Sequence, residues 1–341
     1  MRAGLAVGDH DRMTKSHATR AATAAPPPAE GKRLPWQAIP GQLRAEIERQ
    51  LGGPVAEAVT QPGGFSPGVA ARLLLADGRR AFVKAVGDIN PESPAIHRAE
   101  AKIAAALPPG TPSARLLGFI DTDDWVILTF EDIVGRMPAQ PWQPAELERV
   151  LAAMADLAAS LTPAPISAPL ASERFRSLGR GWRLLAARFR AGADDLAGAD
   201  PWLRDNLDAL AGLEEGFATA VDGPCLAHGD VRADNILLTR DRVVFVDWPW
   251  ACLAQPWFDL VGMLPSVAMN GGPAPESVLA SHPVTRGADG GAITTMVAAL
   301  AGTWTYLGRK PDPPGLPTLR AFQLAQADIT LGWLRVRCPR L

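Results

Sequence analysis

The polar side chains best placed for joint chemistry lie in one stretch of this 341-residue chain. It reads Leu226-Ala227-His228-Gly229-Asp230-Val231-Arg232-Ala233-Asp234-Asn235, then apolar Ile236-Leu237-Leu238, a polar turn over 239–242, and Val243-Val244-Phe245-Val246 before Asp247. That pattern predicts a loop, a strand, a tight turn and a returning strand. A hairpin brings its two ends together, so Asn235 should lie near Asp247, with Asp230 on the loop five residues before Asn235. Three oxygen-bearing side chains at one hairpin base suit Mg2+, which takes one or two protein carboxylates and completes its shell with phosphates and water. Taken alone the stretch is ambiguous, because a turn with Asp at both ends also arises in ordinary hairpins.

A second constellation lies far upstream. Lys84 sits inside the apolar run Ala81-Phe82-Val83-Lys84-Ala85-Val86, and a lysine in such a strand needs a partner. Glu100, sixteen residues on and within a predicted helix over 94–107, can supply one. The competing reading turns Lys84 outward and pairs Glu100 with Arg98 or Lys102. Ahead of this strand, Gly63, Gly64 and Gly68 fit a loop closing over phosphates, although Pro67 removes one amide donor from it. No G-x-x-x-x-G-K-[ST] run is present, which argues against a P-loop nucleotide site.

The elements that must position these groups change character along the chain. Apolar spacing predicts a helix over 41–51, strands over 55–60, 69–75 and 80–86, the helix over 94–107, and a strand pair over 115–120 and 125–130. Beyond residue 132 the pattern is helical over 144–161, 179–191, 201–219, 291–307 and 317–337, interrupted by a β-like unit over 225–247. Residues 1–33, rich in Ala, Pro and charge, read as a disordered tail. The expected organisation is that tail, a strand-rich lobe over 34–131 and a helical lobe over 132–341.

With both constellations in view the sequence resembles a known family. H-x-D-x-x-x-x-N, an apolar hairpin and a following Asp resemble the catalytic loop and metal-binding Asp of the protein-kinase-like superfamily. The variant His228-Gly229-Asp230 with Asp247-Trp248, and Asp259-Leu260 downstream of Trp250, is similar to the aminoglycoside phosphotransferase family. The resemblance implies a bilobal α+β fold, with a small β-rich N-lobe that binds nucleotide and a larger helical C-lobe. It implies a small-molecule kinase that uses ATP or GTP with Mg2+ to phosphorylate a hydroxyl. Asp230 would orient that hydroxyl and take its proton, Arg232 would stabilise charge during transfer, and Asn235 and Asp247 would hold Mg2+. Lys84 and Glu100 would position the α- and β-phosphates under the glycine loop. The Leu128–Glu131 segment, Phe130 included, would meet adenine through its backbone. His228 and Asp259 would support the loop. Pro249 after Trp248 and Asp234 before Asn235 depart from the pattern, but neither removes a catalytic group.

Bulk composition narrows the remaining classes. A net charge of −2 is unlike a nucleic-acid binder. Three scattered cysteines with no C-x-x-C fit neither a disulfide framework nor a zinc site. No apolar run is long enough for a membrane span, and the expected location is cytoplasmic. Eight acids in 194–222 against Arg204 alone could form a wall for a polycationic acceptor, or could simply be solvated helix faces. Six arginines in 174–190 could neutralise them. Two other classes stay open: a metal-dependent hydrolase, which leaves Lys84 and Glu100 unexplained, and a non-catalytic nucleotide-binding protein of the same fold, which would be expected to lack one of Asp230, Asn235 and Asp247. The acceptor, the choice between ATP and GTP and the oligomeric state have no signature in the sequence.

Overall fold

The structure, a computed structural model, describes residues 27, 32–62, 68–87 and 91–341. Gly63 and Gly64 therefore lie outside the described residues. In the first lobe the chain runs β1 (Arg33–Leu34), α1 (Gly41–Leu51), β2 (Val55–Thr60), β3 (Gly68–Leu75), β4 (Arg80–Val86), α2 (Ser93–Ala106), β5 (Leu116–Asp121) and β6 (Val126–Glu131). The strands form one sheet in the order β1-β3-β4-β6-β5, with β2 also pairing with β3. All its pairs are antiparallel except β1 with β3. Arg33, expected as the last residue of a disordered tail, is instead a strand residue opposite Gly68. Two residues give too short an apolar pattern to be seen in the sequence.

The two-residue period of a strand decides where Lys84 points. Val83 and Ala85 pack with Ile47 and Leu51 of α1 on one face of the sheet. Phe82, on the other face, packs with Ala101 of α2 and with Leu128 and Phe130. Lys84 shares the face of Phe82 and so is aimed at α2. The link to the second lobe is clamped from the sheet: Asp132 pairs with Arg72 at 3.2 Å and Arg80 at 2.7 Å.

The second lobe comprises α3 (Pro144–Ser160), α4 (Ala171–Arg174), α5 (Gly181–Arg190), α6 (Pro201–Asp205), α7 (Leu207–Leu213), α8 (Phe217–Val221), β7 (Cys225–Ala227), β8 (Ile236–Leu238), β9 (Val243–Phe245), β10 (Cys252–Ala254), α9 (Phe258–Met269), α10 (Pro275–Ser281), α11 (Gly290–Gly308) and α12 (Leu319–Arg337). The fold is thus bilobal α+β and protein-kinase-like. Three differences from the sequence reading have local causes. The helix expected over 201–219 is three short ones, because Asn206 turns its amide onto the Trp202 carbonyl (2.9 Å) and a second break falls at Glu214–Gly216. The helix expected from 179 begins at Gly181, since Gly179 has a non-helical backbone. Helix α9 has no counterpart in the sequence reading: it is buried on nearly all sides, so it shows no amphipathic stripe, and Pro265 lies within it. Helix α5 crosses α11 where Gly181 meets Gly302, an approach so close that a Cβ on Gly181 would collide with the α11 backbone. Among the described residues no helix is long and apolar enough to cross a membrane.

Candidate active site

The loop after β7 is built to hold Asp230 in place. Asp259, in the first turn of α9, accepts hydrogen bonds from the backbone amides of His228 (2.7 Å) and Gly229 (2.8 Å). Gly229 has φ +85°, and a Cβ there would run into the carbonyl oxygen of Trp250, so both the backbone and the space require glycine. His228 is fully buried. Its Nε2 lies 3.0 Å from the Val246 carbonyl and its Nδ1 accepts from the Asp230 amide at 3.2 Å. Burial lowers its pKa. The ring, with both nitrogens engaged and outside the cavity lining, holds the loop.

The hairpin places Asn235 beside Asp247 as its geometry demands. Ile236 pairs with Phe245, and the Val246 amide donates to the Asn235 carbonyl at 2.9 Å. Asn235 Nδ2 donates to Asp230, to its carbonyl at 2.8 Å and its carboxylate at 3.1 Å. Asp247 has φ +71°, a left-handed conformation uncommon outside glycine but enriched in Asp. Lys84 Nζ lies 2.7 Å from Asp247 Oδ1 and 2.8 Å from Glu100 Oε1. One ammonium thus ties the sheet, α2 and the hairpin base together across 163 residues of sequence. Arg98, the alternative partner for Glu100, pairs with Asp121 instead.

Burial sets the protonation of this cluster. It works against the charge on Lys84, but Asp247 and Glu100 more than offset it and the pKa is raised. Burial pushes Glu100 up to about 7, with Lys84 opposing. Asp247 is more open than Glu100, with a side-chain exposure of 26% against 4%. Burial raises it too, but Lys84 prevails and its pKa is lowered. Asp230 faces the cleft with 31% of its side chain exposed. Desolvation nevertheless raises it to about 7, against the pull of Arg232 at 3.7 Å.

Lys84, Glu100, Phe130, Asp230, Arg232, Asn235, Asp247 and Asp259 all line one cavity of about 800 Å3 between the sheet and the helices. Other assignments change. Arg232 is bound to Asp234 at 2.9 Å and rests over the Phe322 ring at 5.8 Å, so Asp234, unusual in the sequence, serves to hold it. Strand β6 lies between β4 and β5. The backbone at Phe130 is therefore inside the sheet, opposite Phe82 and Leu116. What Phe130 presents is its ring, 5.9 Å from Lys84 Nζ. Gly68 opens β3, with its amide donating to the Lys32 carbonyl at 3.0 Å. That amide is thus used within the fold.

The acids of 194–222 form no wall of the cavity. Asp194 pairs with Arg309 at 2.9 Å, Asp200 with Arg335 and Asp208 with Arg190. Asp222 accepts from the Ser172 amide at 2.8 Å, and Glu214 accepts from the amides of Trp182 (3.0 Å) and Arg183 (3.3 Å). They tie helices together. Trp250 lines the cavity, while Trp182 and Trp257 are core. Arg33 and Gln326 are among the cavity residues not singled out by sequence. Gln326 had a signal, because it interrupts the apolar stripe of α12 between Phe322 and Leu331.

The donor set at the hairpin base fits Mg2+. Asn235 spends its amide hydrogens on Asp230, which leaves its carbonyl oxygen for a cation. Asp247 adds a carboxylate that now meets an ammonium. Among the described residues no cluster of three His, Cys, Asp or Glu could hold a metal unaided. Two protein oxygens are what an ion completed by phosphates requires.

The fold is similar to that of several solved structures. Choline kinase LicA from Streptococcus pneumoniae superposes with a TM-score of 0.55 at 13% identity, covering 85% of this chain and 98% of that one. Aminoglycoside phosphotransferase APH(4)-Ia, bound to AMP-PNP and hygromycin B, gives 0.53 at 15% identity, with 88% and 97% covered. Amicoumacin kinase hAmiN, bound to AMP-PNP, Ca2+ and Ami, gives 0.54 at 11% identity, with 87% and 95% covered. No curated protein sequence matches significantly. The family model of the phosphotransferase enzyme family (APH) matches residues 64–314, most of the chain and all of the site described above except Arg33 and the α12 residues. The chain belongs to that phosphotransferase enzyme family.

Proposed function

We propose that the protein is a small-molecule kinase that moves the γ-phosphate of ATP or GTP onto a hydroxyl of a small acceptor. The observation that carries this reading is Lys84 held between Glu100 and Asp247, with Asp230 facing the same cavity from a buttressed loop. Lys84 orients the α- and β-phosphates, and Glu100 fixes the ammonium that does so. Asn235 and Asp247 would hold Mg2+, which when bound neutralises charge on the phosphates. Asp230, with a pKa near 7, is matched to proton removal in the neutral range. It orients the acceptor hydroxyl and takes its proton as that oxygen bonds to the γ-phosphorus and the bond to the leaving nucleoside diphosphate breaks. Arg232, pinned by Asp234, places positive charge beside Asp230. AMP-PNP in two of the similar structures supports an adenosine triphosphate donor. Chemistry inside the cell is consistent with this reading.

The test is nucleoside diphosphate release with Mg2+ over a panel of hydroxyl acceptors, with the phosphorylated product identified by 31P NMR. A phosphate ester that forms with the acceptor and vanishes in Asp230→Asn supports transfer. Orthophosphate at an acceptor-independent rate would show a hydrolase. No turnover with full nucleotide binding would show a non-catalytic nucleotide-binding protein.

A further inference from the structure

Beyond Asp230 the cavity changes character. Its C-lobe wall is aromatic and aliphatic, with Phe175, Trp250, Phe258, Leu300, Trp304 and Phe322 among its residues. Phe175 links part of it, with its ring centroid 6.0 Å from that of Trp250 and 5.6 Å from that of Phe258. On the same side the carboxylates are already engaged. Asp230 meets Asn235 and Arg232, Asp234 holds Arg232, Asp247 holds Lys84, and Asp259 holds the loop amides. A cationic acceptor would have to strip one of these from its partner.

Two polar groups on this wall have no such engagement. Arg72, Arg136 and Arg232 share the cavity and each pairs with a carboxylate. Arg174 has no ion pair among the described residues, and its buried Nε has no hydrogen-bond partner. Gln326, only 4% exposed, carries a buried Oε1 that also lacks a partner. It lies one turn of α12 beyond Phe322, the ring against which Arg232 rests beside Asp230. A buried polar atom left unpaired is costly, so a ligand that pairs it gains what the free protein lacks.

We infer that the acceptor is an amphipathic hydroxy acid: an apolar, ring-bearing body against the aromatic wall, a carboxylate for Arg174, and a donor group for Gln326. This rests on the kinase reading above and narrows it. It disfavours polycationic acceptors, because the acids of 194–222, weighed in the sequence as either a wall or solvated helix faces, do not line the cavity. It also disfavours a quaternary amine, which the aromatic rings could cage but which would meet Arg174 and Arg232 on the same wall.

The experiment measures binding and turnover separately. Three probes differ in one group only: 3-phenyllactate, 3-phenylpropane-1,2-diol and 1-amino-3-phenylpropan-2-ol, with choline and a polycationic aminoglycoside beside them. Binding is read by calorimetry on the protein loaded with AMP-PNP and Mg2+. The acid should bind about tenfold or more tighter than the amine, as expected when a charge-assisted pair is gained. Arg174→Gln should bring the acid down to the level of the diol, while Arg174→Lys keeps part of the preference. Gln326→Leu should weaken the diol, whose second hydroxyl can donate to Gln326 Oε1, more than the acid, whose one hydroxyl faces Asp230. Unchanged AMP-PNP affinity in each variant shows that the fold persists. Equal or tighter binding of the amine, choline or the aminoglycoside overturns the inference, and so does an absence of binding by all five. If the acid binds in the predicted order but gives no Asp230-dependent phosphate ester, the kinase reading fails while the acceptor reading stands.

Discussion

The two halves of the cavity manage charge in opposite ways. Around the hairpin base, charged groups meet charged partners: Lys84 with Glu100 and Asp247, Arg232 with Asp234. A nucleotide and its metal entering there would exchange partners within an existing network. On the opposite wall the lining is apolar, and the polar atoms of Arg174 and Gln326 wait without partners. An acceptor entering there must bring its own. A low dielectric strengthens paired groups and penalises unpaired ones, so on the function proposed above the first half would take the nucleotide and the second half would select the acceptor. Reaction type and acceptor choice therefore rest on separable residues.

That separation can be broken by mutation. The largest effect should come from Asp230→Asn, with a loss of about 10²–10⁴ in kcat, the usual contribution of a positioned base, and near-normal nucleotide affinity. A loss below tenfold, measured by product formation, would remove Asp230 from the role. Next come Lys84→Met and Glu100→Gln. Both should weaken nucleotide positioning, and the double variant should cost little more than Lys84→Met alone, with a coupling of about 0.5–3 kcal/mol. Lys84→Met should be the worse single change, because it leaves two carboxylates facing one another where Glu100→Gln leaves Lys84 its bond to Asp247. Additive effects in a double-mutant cycle would show that Lys84 and Glu100 do not act together.

A smaller effect should follow from Asp259→Ala. It frees the amides of His228 and Gly229 and should lower stability by about 1–3 kcal/mol in denaturant titration while leaving acceptor preference unchanged. A changed preference would mean that the halves are not separable. The smallest effect concerns Glu214, which ties the start of α5 beside α11, the helix that gives the acceptor wall Leu300 and Trp304. Burial pushes its pKa up to about 7, opposed by hydrogen bonds from the amides of Trp182 and Arg183. The folded state therefore holds this proton more tightly than the unfolded chain. The resulting stability is full below the ordinary Glu value and is lost as pH rises through about 7. The Tm of Glu214→Gln relative to wild type should rise between pH 5 and pH 8, and parallel profiles would contradict this.

The same contrast explains what was legible in the sequence. The reactive half depends on short-range order: a hairpin puts Asn235 beside Asp247, and a strand period puts Lys84 on the face of α2, so spacing alone carried both. The acceptor half is assembled from α4, the turn at Trp250, α9, α11 and α12, which only tertiary packing brings together. Counting acids over 194–222 left a wall and solvated helix faces both open, because partners such as Arg309 and Arg335 lie more than a hundred residues away and draw those acids elsewhere. Helix α9, which supplies Asp259 and Phe258, was invisible because uniform burial erases periodicity.

The claim on which the rest depends is that the hairpin base is a metal-and-phosphate site. It is tested most directly by the Mg2+ dependence of AMP-PNP affinity in wild type, Asn235→Ala and Asp247→Ala. The account predicts that Mg2+ tightens nucleotide binding in wild type, that Asn235→Ala keeps the effect at higher Mg2+, and that Asp247→Ala loses it because a full negative charge has left the site. An Asp247→Ala variant with the same Mg2+ dependence as wild type would contradict the account.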